Sequence, residues 1–130
     1  MPAYNFKQQF APLVESGQKR QTIRQTAKNA TRGAKAYLYT GQRTAHCRKI
    51  GEGKITDVLP IEIGRNACSE PYAVVTECNG RSTCLVHNDL DSLAKDDGFA
   101  NGEEMAEWFN NQYGLPFKGY IHKWDLKNET

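Results

Sequence analysis

From Ala36 to Val86 the chain alternates short β-prone runs with glycine breaks, a punctuation that favours a sheet over any bundle of helices. Ala36-Tyr37-Leu38-Tyr39-Thr40 is broken by Gly41, a second β-prone region runs from Cys47 to Leu59 around Gly51 and Gly53, and Tyr72 to Cys78 and Arg81 to Val86 flank Asn79-Gly80. Asn-Gly is the strongest short signal for a two-residue hairpin turn, and that turn would pair Cys78 with Arg81 and Cys84 with Val75. On such a ribbon Cys78 and Cys84 would point to opposite faces, which argues against a disulfide between them.

The flanks add the remaining elements. Tyr4 to Lys7 reads as a brief strand, and Phe10 to Ser16 as a helix with Pro12 in its first turn and Gly17 as its stop. Thr22-Ile23-Arg24 alternates as a strand does. Beyond Asn88 the period turns helical. Leu90, Leu93 and Ala94 suit one helix ending near Asp96, while Met105, Trp108 and Phe109 suit a second, capped by Asn101 and ended by Gly114 and Pro116. Gly119 to Leu126 closes the pattern as a strand. The order β-α-β-β-β-hairpin-α-α-β predicts an α+β fold: a small mixed β-barrel or strongly curved sheet with short helices at its side or mouth.

With 130 residues, 38% of them hydrophobic and 25% charged, the chain is expected to form one globular domain over 1–130. It has no apolar run of membrane-spanning length, and MPAYNFKQQF lacks the apolar region of an export signal, so a cytoplasmic setting without membrane attachment is expected. The cysteines at 47, 68, 78 and 84 form no C-x-x-C pair, so neither a metal site nor a cofactor is expected. They read as reduced, inert thiols, buried or half-buried.

Charge is unevenly placed along the chain. Residues 1–54 hold eleven Lys or Arg against two acids, and residues 55–130 hold six against thirteen. Such asymmetry fits a basic surface for a polyanion, or two oppositely charged faces that meet within the fold.

The densest cationic stretch is Gly17-Gln18-Lys19-Arg20-Gln21-Thr22-Ile23-Arg24. It is no P-loop, because the second glycine is missing and a strand follows it. As a basic loop at a helix C-terminus it reads as solvated, dipole-compatible surface. If the chain bends between Lys19 and Gln21, however, Lys19 comes beside Thr22. The lysine then acts either as a fixed cation for a phosphate or carbonyl oxygen, or as a neutral base for the threonine hydroxyl. A carboxylate for the same site would come from Asp96-Asp97-Gly98-Phe99, whose turn glycine permits close approach; turn formation and capping are the alternative roles of these acids.

These segments, with Tyr37-Leu38-Tyr39-Thr40-Gly41-Gln42-Arg43-Thr44, Cys47-Arg48-Lys49-Ile50-Gly51 and Glu103-Glu104-Met105, resemble the ASCH domain of the PUA-like superfamily in its bacterial and phage form. The resemblance runs from about Phe6 to Trp124. It implies a small β-barrel with helices around a cleft lined by the G-x-K-x-x-T-I-R segment, and binding of RNA or modified nucleosides. One small bacterial branch hydrolyses the acetyl amide of 4-acetylcytidine with a Lys, Thr and Glu set. By position, the resemblance makes Lys19 the base, Thr22 the nucleophile and Asp97 the acidic partner, one methylene shorter than glutamate. The hairpin from Tyr72 to Val86 has no clear counterpart in that branch.

Two main functions follow as expectations. In the first, a basic cleft of Lys19, Arg20, Arg24, Arg43 and Arg48, with Tyr39 as a stacking face, holds single-stranded RNA, a nucleotide or a nucleoside. In the second, the chain is an amidohydrolase acting on N-acylated pyrimidine nucleosides. Metal-independent RNA cleavage ranks below both, and protein binding through the acidic helices is the remaining class.

Overall fold

The computed structural model describes residues 3–27, 30–42 and 44–126. The elements follow in the order β1 (Ala3–Phe6), α1 (Ala11–Ser16), β2 (Gln21–Arg24), β3 (Lys35–Thr40), β4 (Arg48–Arg65), β5 (Pro71–Thr76), β6 (Ser82–Leu85), α2 (His87–Asp96), α3 (Gly102–Gln112) and β7 (Phe117–Leu126). That order matches the one read from hydrophobic period and turn residues.

The long strand β4 organises a seven-stranded sheet. On one edge its residues 48–54 pair with β3 and residues 61–65 with β5, while on the other edge residues 53–63 pair with β7, all antiparallel. The predicted strand ended at Leu59, whereas β4 continues through Pro60 to Arg65. Proline costs a ladder donor only where a neighbour needs one, and Pro60 falls in the gap between the β3 and β5 segments.

β1 adds in parallel to β3, and β2 adds antiparallel to β7. Register shifts at Leu38/Tyr39 and Ile55/Asp57 disturb the ladders on both edges of β4, the kind of irregularity that bends and twists a strand. Among the described residues no ladder joins β1 to β2, so the sheet is not closed. A side chain spans them instead: Arg24 Nη2 donates to the Asn5 carbonyl at 2.9 Å.

The β5–β6 hairpin departs from its predicted register by one residue, with Val74 opposite Cys84 and Thr76 opposite Ser82. A two-residue type I′ turn needs positive φ at both central positions, yet of Asn79 and Gly80 only Gly80 adopts it, at 84°. The loop therefore spans Cys78, Asn79 and Gly80, closed by Glu77 N–H donating to the Arg81 carbonyl at 2.8 Å. The cysteines also differ from expectation. All four are free and exposed, because they lie in connecting segments or on the solvent side of the hairpin rather than on core-facing positions.

The helices pack where their apolar stripes predict. Leu90, Leu93 and Ala94 of α2 and Met105, Ala106 and Phe109 of α3 join one core cluster with Leu38, Ile55, Ile63, Ile121 and Trp124 of the sheet. Asn101 caps α3 by accepting from Glu104 N–H at 2.8 Å. Arg65 then forks onto Glu103 at 2.6 and 3.0 Å, tying the end of β4 to the first turn of α3. Among the described residues no helix is long and apolar enough to cross a membrane.

Candidate functional site

The segment that composition marks as surface lies inside. Lys19, Gln21 and Thr22 are only 3%, 4% and 5% exposed. After α1 ends at Gly17 the chain bends at Gln18, and Lys19 N–H donates to the Leu13 carbonyl at 2.9 Å before β2 begins. This return to α1 turns Lys19 inward.

Its partner comes from the end of α2. Lys19 Nζ donates to the Asp97 main-chain carbonyl at 2.6 Å and lies 3.2 Å from Asp97 Oδ1. Gln21 Nε2 donates to the same carboxylate oxygen at 3.4 Å. Asp97 caps α2, and Gly98 follows at φ 95°, with Phe99 N–H returning to the Ala94 carbonyl at 2.8 Å. A side chain at Gly98 would also press on the Phe10 ring, 3.0 Å from its Cβ, so the position needs glycine twice over. Lys19 thus meets a helix C-terminus, where unpaired carbonyls and the helix dipole favour a cation.

Burial opposes that preference. It pulls the Lys19 amine below the ordinary lysine value, with Asp97 pushing back up, and it raises the Asp97 carboxyl, with Lys19 and Gln21 pulling back down. The rings of Phe6 and Phe10, 5.8 and 5.1 Å from Nζ, offer their faces to the ammonium.

Thr22 shares a cleft with Lys19 and takes a hydrogen bond from Arg24. Its Oγ1 accepts from Arg24 Nε at 3.0 Å, and the guanidinium lies over Tyr4 and Phe6 at 5.6 and 5.2 Å. Behind them, His122 stands opposite Thr22 on β7. Its Nε2 is 3.0 Å from the Thr26 carbonyl and its Nδ1 is 2.7 Å from the Tyr4 hydroxyl. A carbonyl only accepts, so Nε2 carries the proton and Nδ1 accepts from Tyr4. Burial lowers the His122 value, and it pushes the Tyr4 phenol up to about 12 against the pull of Arg24.

Lys19, Thr22, Arg24 and Asp97 line one cleft of about 230 Å³. Its aromatic wall was not read from the sequence: Phe10 and Phe99 at the base, with Trp108 and the 46% exposed Tyr113 from α3 and its C-terminal cap. The helical period places Trp108 on the same apolar stripe as Met105 and Phe109; only its packing against Phe10 and Phe99 reveals that it is half-buried at an opening. Asn5, Phe6, Lys7, Ile23, Phe109 and Gln112 complete the lining.

The other predicted residues lie elsewhere. Arg20 is exposed and donates through Nε to the Gly17 carbonyl at 2.9 Å, bordering a separate groove. Tyr39 is half-buried on β3, where Ala36, Leu38 and Thr40 face the core, and it does not line the cleft. Arg48 pairs with Glu15 beside a third concavity of about 630 Å³. Arg43 lies outside the described residues. Among the described residues, none that lines the concavities of about 480 Å³ near Glu62 and Tyr120 and about 630 Å³ near Arg48 is a buried ionisable side chain.

Chemically, the cleft offers cationic donors beside a carboxylate, a hydroxyl and flat rings. Among the described residues no three His, Cys, Asp or Glu side chains gather as they would around a metal ion. Comparison with protein-family models, curated proteins and solved structures found no match.

Proposed function

We propose that the cleft binds a single nucleobase, as a modified nucleoside or as one unstacked base of an RNA. The observation that carries this reading is the Lys19–Asp97 pair at the floor of an aromatic-walled cleft of about 230 Å³. That volume is below the roughly 300–1,000 Å³ of pockets for drug-sized molecules, which suits one planar ring system better than a folded ligand. A base edge alternates carbonyl acceptors with amino or imino donors. Lys19 has three donor hydrogens, of which Asp97 engages two, and the third serves a carbonyl; the carboxylate serves an adjacent N–H. Phe10, Trp108 and Tyr113 supply faces for stacking.

The resemblance to ASCH domains agrees with this reading. We take the curved sheet, with Arg24 bridging its β1 and β2 edges, as a PUA-like barrel whose closure is completed by side chains. The expected test is calorimetric titration with cytidine and 4-acetylcytidine. Saturable binding that weakens on Trp108→Ala and Arg24→Ala supports the proposal, and heats no different from dilution at millimolar nucleoside refute it.

Deacylation is the second reading, favoured by Thr22 lying in the same cleft as Lys19 and Asp97. In this reading neutral Lys19 would take the Thr22 hydroxyl proton as the oxygen bonds to the acyl carbon, with Arg24 stabilising the negative charge that builds on Oγ1 as the proton leaves. The amide C–N bond would then break, the amine would leave with the proton from Lys19, and water would hydrolyse the threonine ester. Loss of acetyl from 4-acetylcytidine, read by mass, tests it. Turnover no higher than that of Thr22→Ala leaves binding alone.

A further inference from the structure

The charges that line the cleft do not balance. Lys19 and Asp97 offset one another at the floor, 3.2 Å apart. Lys7 and Arg24, which line the same cleft, have no carboxylate within ion-pair distance among the described residues. Arg24 commits Nε to Thr22 and Nη2 to the Asn5 carbonyl, which leaves Nη1 without a partner in either bond. Lys7 is exposed, with its ammonium 5.2 Å above the Trp108 ring. An uncharged nucleoside would occupy the rings and the floor and leave both cations without an ion-pair partner.

We infer that the ligand carries a phosphate on its sugar, held by Lys7 and Arg24 at the cleft mouth while the base enters between Trp108 and the floor. The inference rests on the reading of the cleft as a nucleobase site and names the class of ligand within it: a nucleotide rather than a free nucleoside. The bonds to Thr22 and Asn5 hold the half-buried Arg24 in position, and its stacking over Tyr4 and Phe6 holds the guanidinium plane where a planar fork can meet phosphate oxygens. Lys7 adds a mobile point charge. Its ammonium lies over a face of Trp108, so a base that stacks on that face displaces it toward the sugar phosphate, and charge and stacking converge on one nucleotide. Tyr113, exposed and 6.5 Å from Trp108 between ring centroids, offers a further face to a neighbouring base if the nucleotide belongs to a strand.

The test uses the intact chain and calorimetry with each of the four ribonucleosides, its 5′-monophosphate, and a trinucleotide centred on it, at low and high salt. The expected result is a monophosphate that binds at least about tenfold more tightly than its nucleoside, the worth of one charge-assisted hydrogen bond, with the advantage shrinking at high salt. Lys7→Ala, at an exposed position, should bring the nucleotide-to-nucleoside ratio close to one. A trinucleotide that binds more tightly still assigns the phosphate to RNA, and one that binds no better assigns it to a free nucleotide. Nucleoside and monophosphate binding equally, or a ratio unchanged in Lys7→Ala, overturns the inference and leaves the nucleobase site standing. No binding by any of the probes overturns both.

Discussion

Lys19 Nζ meets Asp97 twice, at the main-chain carbonyl at 2.6 Å and at the carboxylate at 3.2 Å, with both side chains almost wholly buried. One contact ties the entry of β2 to the C-terminus of α2, and the other sets a charge pair at the base of the cleft. The shorter reach of aspartate is offset by this placement, since the residue that supplies the carboxylate also supplies the helix carbonyl. The fold and the proposed recognition therefore rest on the same two residues.

Removing one partner should be far worse than removing both. Asp97→Ala leaves the lysine without its carboxylate and should cost about 3–5 kcal/mol, while the double variant Lys19→Met with Asp97→Leu should recover much of that loss. Urea unfolding of the two single variants and the double variant checks this. A double variant as unstable as Asp97→Ala contradicts it.

The Tyr4–His122 contact predicts a pH dependence. Burial holds His122 below its ordinary value of 6.5, the Thr26 carbonyl raises it, and nearby Arg24 lowers it further. A histidine depressed on folding contributes stability above the unfolded value, and that contribution is lost as pH falls through the folded value. The melting temperature should fall as the solution is acidified below pH 6.5, and less steeply in His122→Gln. Parallel curves for the two proteins would assign the acid sensitivity to other groups.

Tyr4→Phe removes the hydroxyl that His122 Nδ1 accepts from and leaves a buried acceptor unpaired, at a cost of about 1–3 kcal/mol. The same change should restore part of the His122 basicity, measurable as an upward shift in its NMR titration.

Sequence reasoning found the order of the elements because each apolar stripe and most turns carry a local signal: Leu90, Leu93 and Ala94 at helical spacing, Asn101 as a cap, Gly17 as a stop. The β5–β6 register escaped it, since Asn79-Gly80 permits two loop types and the backbone took the one that leaves Asn79 at negative φ. Lys19, Gln21 and Thr22 read as surface by composition, and only the chain's return to α1 and the approach of Asp97 make them interior. Trp108 was legible as apolar but not as a wall, because exposure on one side of a helix depends on which strands it meets. Arg48 and Tyr39 share the basic, aromatic character of the site, yet β3 and the start of β4 carry them away from it.

Arg48 and Arg24 make a paired control. The Arg48–Glu15 ion pair is exposed, so Arg48→Ala should change stability by no more than about 1 kcal/mol and leave nucleoside affinity unaltered. Arg24→Ala removes the bonds to Thr22 and Asn5 and should weaken both folding and binding. Equal effects of the two on affinity would move the binding surface toward β4.

Trp108→Ala should lower nucleoside affinity by about 1–3 kcal/mol, the usual worth of one stacked base. Calorimetry at constant salt reads the change directly.

The central claim is where a base binds. Backbone amide and indole NMR signals, followed while cytidine or 4-acetylcytidine is titrated in, locate it in one measurement. The account predicts saturable shifts at Lys19, Thr22, Arg24, Asp97 and Phe99 and at the Trp108 indole N–H, with Tyr39 and Arg48 unmoved. Shifts that gather around Tyr39 and Arg48 instead, or no shifts at millimolar nucleoside, would contradict it.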